Sequence, residues 1–294
     1  MTAAAAHTIA DASFRPSETA VGVPLEVEDP TDGRRTTGRR FVVPGWVRRL
    51  AGPVLLLALW WAVTGFHVVD SRSLTGPGSV FRAAHEMWGS GELPRDLGAS
   101  LSRVGWGLAI GVAVGLALAV VSGFFRLGED LLDSSMNILR TVPVVALTPL
   151  IIVWMGIGEP AKIFLIATGT AFPIYMNTFA AIRGVDNKLV EAGKAFGLGR
   201  LGLIRRVIVP GAVPGFLVGL RWSWGVAWLL LIFAEQVNAS SGIGYLMTQA
   251  QSWNRTDIII MGVVLYGLLG LLGDVVVRLL EGTLLSWRRG FVGT

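Results

Sequence analysis

The stretch Leu97–Phe125, LGASLSRVGWGLAIGVAVGLALAVVSGFF, carries a single charged residue, Arg103. A helix built from it is apolar on nearly every side, so it has no face to give to water. At about 1.5 Å of rise per residue the run outreaches the ~30 Å hydrocarbon layer of a bilayer, and it reads as a transmembrane helix. Gly107, Gly111 and Gly115 recur at every fourth position. They line one stripe of that helix, where missing side chains let another backbone approach closely. Helix packing accounts for such a stripe better than a ligand does.

The same reading extends outward in both directions. Further apolar runs lie at about 50–66, 138–158, 161–182, 211–234 and 258–280, which makes six expected spans. Residues His67–Asp96 are polar, with a short amphipathic helix expected over Val80–Trp88, and 236–256 are too polar to cross. Residues 1–45 are rich in Ala, Thr, Pro, Gly and charge without apolar period, and read as a disordered arm rather than a signal peptide. The expected organisation is therefore an arm (1–45), a six-helix membrane domain (46–287) and a short tail (288–294). The fold class is all-α polytopic membrane protein.

Composition agrees. Of 294 residues, 52% are hydrophobic and only 15% charged, against about 25% charged in soluble domains; the mean hydropathy is +0.61. There are no cysteines, which excludes disulfides and thiolate chemistry. The net charge of +5 sits in loops and arm, as expected of cytoplasmic segments facing anionic lipid, and no aromatic-basic motif accompanies it to suggest nucleic acid. Arg34, Arg35, Arg39, Arg40, Arg48 and Arg49 before the first span, the basic run 183–206 and Arg288–Arg289 fall on one side of a six-span topology. The positive-inside rule puts that side, with both termini, in the cytoplasm.

Chemistry-bearing patterns are few. Gly197-Leu198-Gly199-Arg200-Leu201-Gly202 matches GxGxxG, but a helix precedes it and no acid follows at the required distance, so a dinucleotide site is rejected. There is no GxxxxGK[ST] and no HExxH, which leaves neither a phosphate cradle of that type nor a zincin site. His7, His67 and His85 are too scattered to hold a metal. Among ionisable residues near the spans, Asp274 and Arg278 have the spacing of a helical pair, Lys162 and Arg103 read as span-end anchors, and Arg221 and Glu235 are candidates to line a pathway or to pair with other spans. Pro143, Pro149 and Pro173 are read as kinks that put the third and fourth spans beside a pathway or simply serve packing.

The most informative loop is VDNKLVEAGKAFGLGRLGLIRRVIVPGAVPG, residues 185–215. Asp186 or Asn187 can cap a short helix that Gly197 ends. A second amphipathic piece, Leu201–Ile208, runs into Pro210, and small residues at 192, 193, 195 and 197 make the elbow compact. Such a knob suits insertion into a groove on a partner. Glu191-Ala192-Gly193, three residues, Gly197, nine residues and Val207-Ile208-Val209-Pro210 resemble the EAA loop of ABC importer permeases, whose pattern is E-A-A, three residues, G, nine residues, I-x-L-P. Gly193, Val207 and Val209 depart from it while keeping small or aliphatic character. The segments 140–163 and 172–178, with Gly219-Leu220-Arg221 and Ala234-Glu235, are similar to the sulfonate/taurine/nitrate branch.

The resemblance implies a type I importer in a bacterial cytoplasmic membrane. Two permease subunits, as a homodimer, would form the path. Two cytoplasmic ATPases would dock on the loop 184–210, and an external solute-binding protein would deliver a small anionic solute. Glu191, Ala192, Gly193, Lys194, Gly197, Arg200, Arg205 and Pro210 are the implied coupling residues. Arg221, Glu235, Pro143 and Pro173 are the candidates along the path. Neither a cofactor nor a catalytic residue is implied, since hydrolysis would belong to the partner. A permease for a thiamine-precursor pyrimidine or a carboxylate, and a transporter driven by an ion gradient, are the alternatives.

Overall fold

The computed structural model describes residues 45–66, 68–70, 73–125, 128, 134–139 and 141–285. The arm before residue 45, most of the turn after Phe125 and the tail after Leu285 lie outside the described residues, and so do Arg34, Arg35, Arg39, Arg40, Arg288 and Arg289 of the arginines used to orient the chain. The chain divides into units 1–51 and 52–294. All packing described below belongs to the second.

Every regular element among the described residues is helical. The order is α1 (Gly45–Gly65), α2 (Pro77–Gly89), α3 (Glu92–Phe124), α4 (Ser134–Leu139), a 3-10 turn (Val144–Leu147), α5 (Thr148–Met155), α6 (Glu159–Arg183), α7 (Asn187–Ala195), α8 (Arg200–Leu203), a π-helical turn (Ile204–Ile208), α9 (Val209–Asn238), α10 (Ile243–Ser252) and α11 (Thr256–Leu284). Among the described residues four helices are long and apolar enough to cross a membrane: 92–124, 159–183, 200–237 and 256–284. These match the second, fourth, fifth and sixth expected spans. The first expected span coincides with α1, whose apolar part is the shorter Ala51–Gly65.

The third expected span, 138–158, is not one helix. Among its described residues it is a helix end, a 3-10 turn and the eight-residue α5. The prolines explain the break. Pro143 stands in an extended conformation ahead of the 3-10 turn, and Pro149 lies in the first turn of α5. Proline is well tolerated where no helical N–H is needed, and the residue before it disfavours helix. Both therefore start short helices, where the sequence reading had them kinking a long one. Pro173 does lie within a helix, α6.

Helix α6 is the centre of the bundle, with α3 on one side and α9 on the other. The stripe on α3 makes the first contact. A Cβ on Gly111 would sit 2.7 Å from the Ala167 carbonyl oxygen, and one on Gly107 2.6 Å from Ile166 Cβ. Gly115 and Gly123 face Ile174 and Ile182 in the same way. On the other side Gly219 of α9 lies against the Pro173 carbonyl and Gly215 against that of Asn177, each leaving only 2.8 Å for a Cβ. Three residues before Pro173 the Ser223 hydroxyl donates to the Thr170 carbonyl at 2.8 Å, a hydrogen bond that ties α9 to α6. Helix α11 completes the core: Gly273 admits the Trp224 indole, which donates to the Leu269 carbonyl at 3.0 Å, and Trp228 packs edge-on against both Trp224 and Tyr266. The amphipathic α2 buries Val80, Ala83 and Met87 against Leu246, Ala250 and Met261.

The helix at 200–238 starts irregularly because two prolines follow. Pro210 cannot donate to a preceding carbonyl, and the turn just before it is π-helical, with the Val209 N–H bonded to the Ile204 carbonyl. Gly111→Ala should lower the melting temperature of the detergent-purified protein, because the new methyl meets backbone; overpacking of this kind costs about 1–3 kcal/mol. Gly105→Ala, on the open side of the same helix with nothing within 4 Å, should leave it unchanged or raise it.

Candidate functional site

Two sites stand at opposite ends of the bundle. The first is the elbow of α7 and α8. Asp186 caps α7, its carboxylate accepting from the Lys188 N–H at 2.9 Å. The helix closes with Gly197 at φ +78; its N–H donates to the Lys194 carbonyl at 2.9 Å and the Leu198 N–H to that of Gly193 at 3.0 Å. That is a Schellman closure, and it favours glycine at residue 197. Gly193 is buried and lets Leu203 lie against α7: an added Cβ would stand 2.7 Å from Leu203 Cδ2. Pro210 is in the first turn of α9.

Around that scaffold Glu191, Ala192, Lys194, Arg200 and Arg205 are all exposed. So are three large apolar side chains, Leu189 at 58%, Phe196 at 88% and Leu201 at 74%. Phe196 stands at the tip, between the end of α7 and Gly197. The coupling residues named from the sequence are the charged and small ones of this loop with Pro210, and these three apolar side chains are not among them. An apolar side chain exposed to that degree on a polar elbow has nothing in the fold to cover it.

The second site lies at the other end, where the start of α3, the start of α6, the end of α9 and the start of α10 meet. Arg103 is 3% exposed, and all five of its donors are used. Nε and Nη2 hold the Glu159 carboxylate at 2.6 and 2.7 Å, while Nη1 donates to Glu235 Oε1 and to the Ser241 carbonyl, both at 2.7 Å. Nη2 also reaches Ser241 Oγ at 3.0 Å. Lys162 donates to Glu159 Oε1 at 2.9 Å.

Glu235 also caps α10, together with Asp96 and Ser100. The N–H groups of Gly242, Ile243 and Gly244 donate to Asp96 at 3.1 Å, Ser100 Oγ at 3.0 Å and Glu235 Oε2 at 2.8 Å, and the Ser100 hydroxyl donates in turn to Glu235 Oε1 at 2.7 Å. Orphan amides of a buried helix start thus find acceptors, and anionic ones suit the positive end of the helix dipole. Gly242, at φ +119, has the Glu235 carboxylate where a side chain would be. Breaking such a buried ion cluster by removing one partner is costly, about 3–5 kcal/mol.

Arg103 and Lys162 are therefore not solvent-reaching anchors. Arg103 is paired with residues 56 and 132 positions away, separations that no helical spacing reveals. The one local signal is Glu159 with Lys162, three residues apart. Glu235 joins this cluster, whereas Arg221 pairs elsewhere, with Asp274 at 3.0 Å and Glu281 at 2.9 Å on α11. The expected Asp274–Arg278 pair is present at 2.6 Å. No group of three potential metal ligands occurs among the described residues. Beside the cluster opens a cleft of about 530 Å³, reached by Glu159, Lys162, Glu235, Ser240 and Tyr245.

Comparison with known proteins agrees with this architecture. The chain is 44% identical over 252 residues to the aliphatic sulfonates transport permease protein SsuC of Escherichia coli, covering 85% of this chain and 96% of the relative. To the protein of the same name from Bacillus subtilis it is 40% identical over 260 residues, covering 88% and 94%. A crystal structure of an amino acid ABC transporter with histidines superposes with a TM-score of 0.54 at 18% identity, covering 73% of this chain and 99% of that one, which speaks for a shared fold alone. Residues 111–285 match the family model for the binding-protein-dependent transport system inner membrane component, and with these relatives the chain belongs to that family of ABC transporter permeases, as a transport subunit and not an enzyme.

Proposed function

We propose that this chain forms the membrane path of an ATP-driven importer for a small anionic organic or inorganic solute, an aliphatic sulfonate first, with taurine and nitrate in the same class. The likeness to the two SsuC proteins over most of both chains is the observation that carries it. In this reading the 184–210 elbow faces the cytoplasm with both termini, and a second copy of the chain completes the path. The cluster end faces the solute-binding protein.

The elbow is built for transmitting force to and from an ATPase. It is short, capped by Asp186 at one end and closed by Gly197 at the other, and α8 runs without a break through the π-helical turn into α9. A push on the elbow therefore moves a helix that lies against α6 through Gly215 and Gly219. The exposed Leu189, Phe196 and Leu201 supply apolar anchors of the kind that helices insert into partner grooves. Glu191, Lys194, Arg200 and Arg205 surround them with charge that selects the partner.

Phe196→Asp and Glu191→Lys should each abolish co-purification of the cognate ATPase from detergent while leaving the permease in the membrane at normal abundance. Gly193→Ala should retain the ATPase, since the flexible end of Leu203 can give way. Retention of the ATPase by Phe196→Asp would remove the elbow from the coupling role. In proteoliposomes, ethanesulfonate uptake should stop without ATP and continue when ionophores collapse all ion gradients; the reverse would indicate a gradient-driven carrier.

A further inference from the structure

Within the cluster opposite the elbow, two buried cations converge on one carboxylate that is itself half exposed. Arg103 is 3% and the Lys162 side chain 7% exposed, whereas the Glu159 side chain is 53% exposed. Glu159 accepts two parallel bonds from the Arg103 fork and one from Lys162. Among the described residues Lys162 meets no other protein acceptor, and it borders the 530 Å³ cleft, so its remaining donors are available to a group arriving there.

The other carboxylate, Glu235, is different. It is held by Ser100, Arg103 and the Gly244 amide and is 1% exposed, so it is fixed in place. Glu159 begins α6 and can turn into solvent at the loss of bonds to the two cations alone. With Glu159 turned away, Arg103, Lys162 and Glu235 leave a net charge of +1 facing the cleft. The opening would then offer a planar fork of two N–H groups and an ammonium, the donors that recognise an oxyanion through paired oxygens.

We infer that Arg103 and Lys162 form an oxyanion subsite for the transported monoanion, which in this conformation is filled by the chain's own Glu159 carboxylate. The inference rests on the anionic-solute reading above and locates the site for it. A sulfonate or nitrate arriving through the cleft exchanges with Glu159, and the vacated carboxylate moves to water. Because the same Arg103 also holds Glu235 and Ser241, occupancy of the subsite is felt at the junction of α3, α6, α9 and α10. Ionisable groups within membrane helices commonly mark a solute path.

The test uses the permease–ATPase complex in nanodiscs for binding of labelled ethanesulfonate, and the same complex with its solute-binding protein in proteoliposomes for uptake. Removing the internal competitor with Glu159→Gln should tighten ethanesulfonate binding by about tenfold, and Lys162→Gln should weaken it by a similar factor. Lys162→Arg, which keeps the charge, should restore it, and neutral diethyl sulfone should not distinguish any of these forms. If the unsubstituted complex takes up ethanesulfonate but Glu159→Gln and Lys162→Gln bind it as the unsubstituted complex does, the cluster is structural and the subsite is refuted while the substrate reading stands. If the unsubstituted complex takes up none of ethanesulfonate, taurine or nitrate, the substrate reading fails and the subsite falls with it.

Discussion

The close approach of α6 to α3 and α9 is the constraint on which the rest of the structure depends. Lipid is as apolar as the helices, so burial of hydrocarbon does not hold a membrane bundle together; packing and polar contacts must. Glycines on both neighbours bring backbones near enough to α6 that a single methyl at Gly111, Gly115, Gly215 or Gly219 would collide with a main-chain oxygen. With three helices so closely seated, the ends of α3, α6 and α9 are fixed relative to one another. Both candidate sites are built on those ends.

At one end the fixed geometry allows a buried charge cluster. Four ionised side chains from three helices can share a small volume only if each is met by an opposite charge or a hydrogen bond, and here Ser100, Ser241 and the amides at the start of α10 supply what the ion pairs do not. The arrangement joins the start of α10 to the bundle through its N–H groups, alongside the Ile243 side chain buried in the hydrophobic core. At the other end the continuity of α8, the π-helical turn and α9 makes the elbow an extension of a core helix rather than a hanging loop. The two ends are thus mechanically connected through α9, which carries the elbow at its start and Glu235 near its finish.

Several parts of this were legible in the residues because they are local. A run such as Leu97–Phe125 has no polar face in any conformation, so its burial in lipid follows from composition alone. The stripe of Gly107, Gly111 and Gly115 follows from helical period. Asp186 before a helix and Gly197 after it act on their own neighbours, within two to four residues, and the spacing from Glu191 to Pro210 identified the family. The broken third span is less legible: hydropathy averages over a window and is blind to where Pro143 and Pro149 stop a helix, so an interrupted apolar run reads as a continuous one.

What the sequence by itself determined, then, is the membrane class, the four long spans, the capped elbow and the family. Tertiary structure alone decided the fate of the charges. Arg103 and Lys162 look in sequence like cations reaching for the bilayer surface, and Arg221 and Glu235 like residues that either line a pathway or pair with other spans, with no partner identified. In the fold, Arg103 turns inward to Glu159 and Glu235, while Arg221 turns to Asp274 and Glu281. The physical reason is that a buried charge takes its meaning from its partner, and these partners lie on other helices, up to 132 residues away. Helical period relates a residue to its own turn and the next; it contains no information about which opposite charge the packing of glycine on backbone will bring within 3 Å.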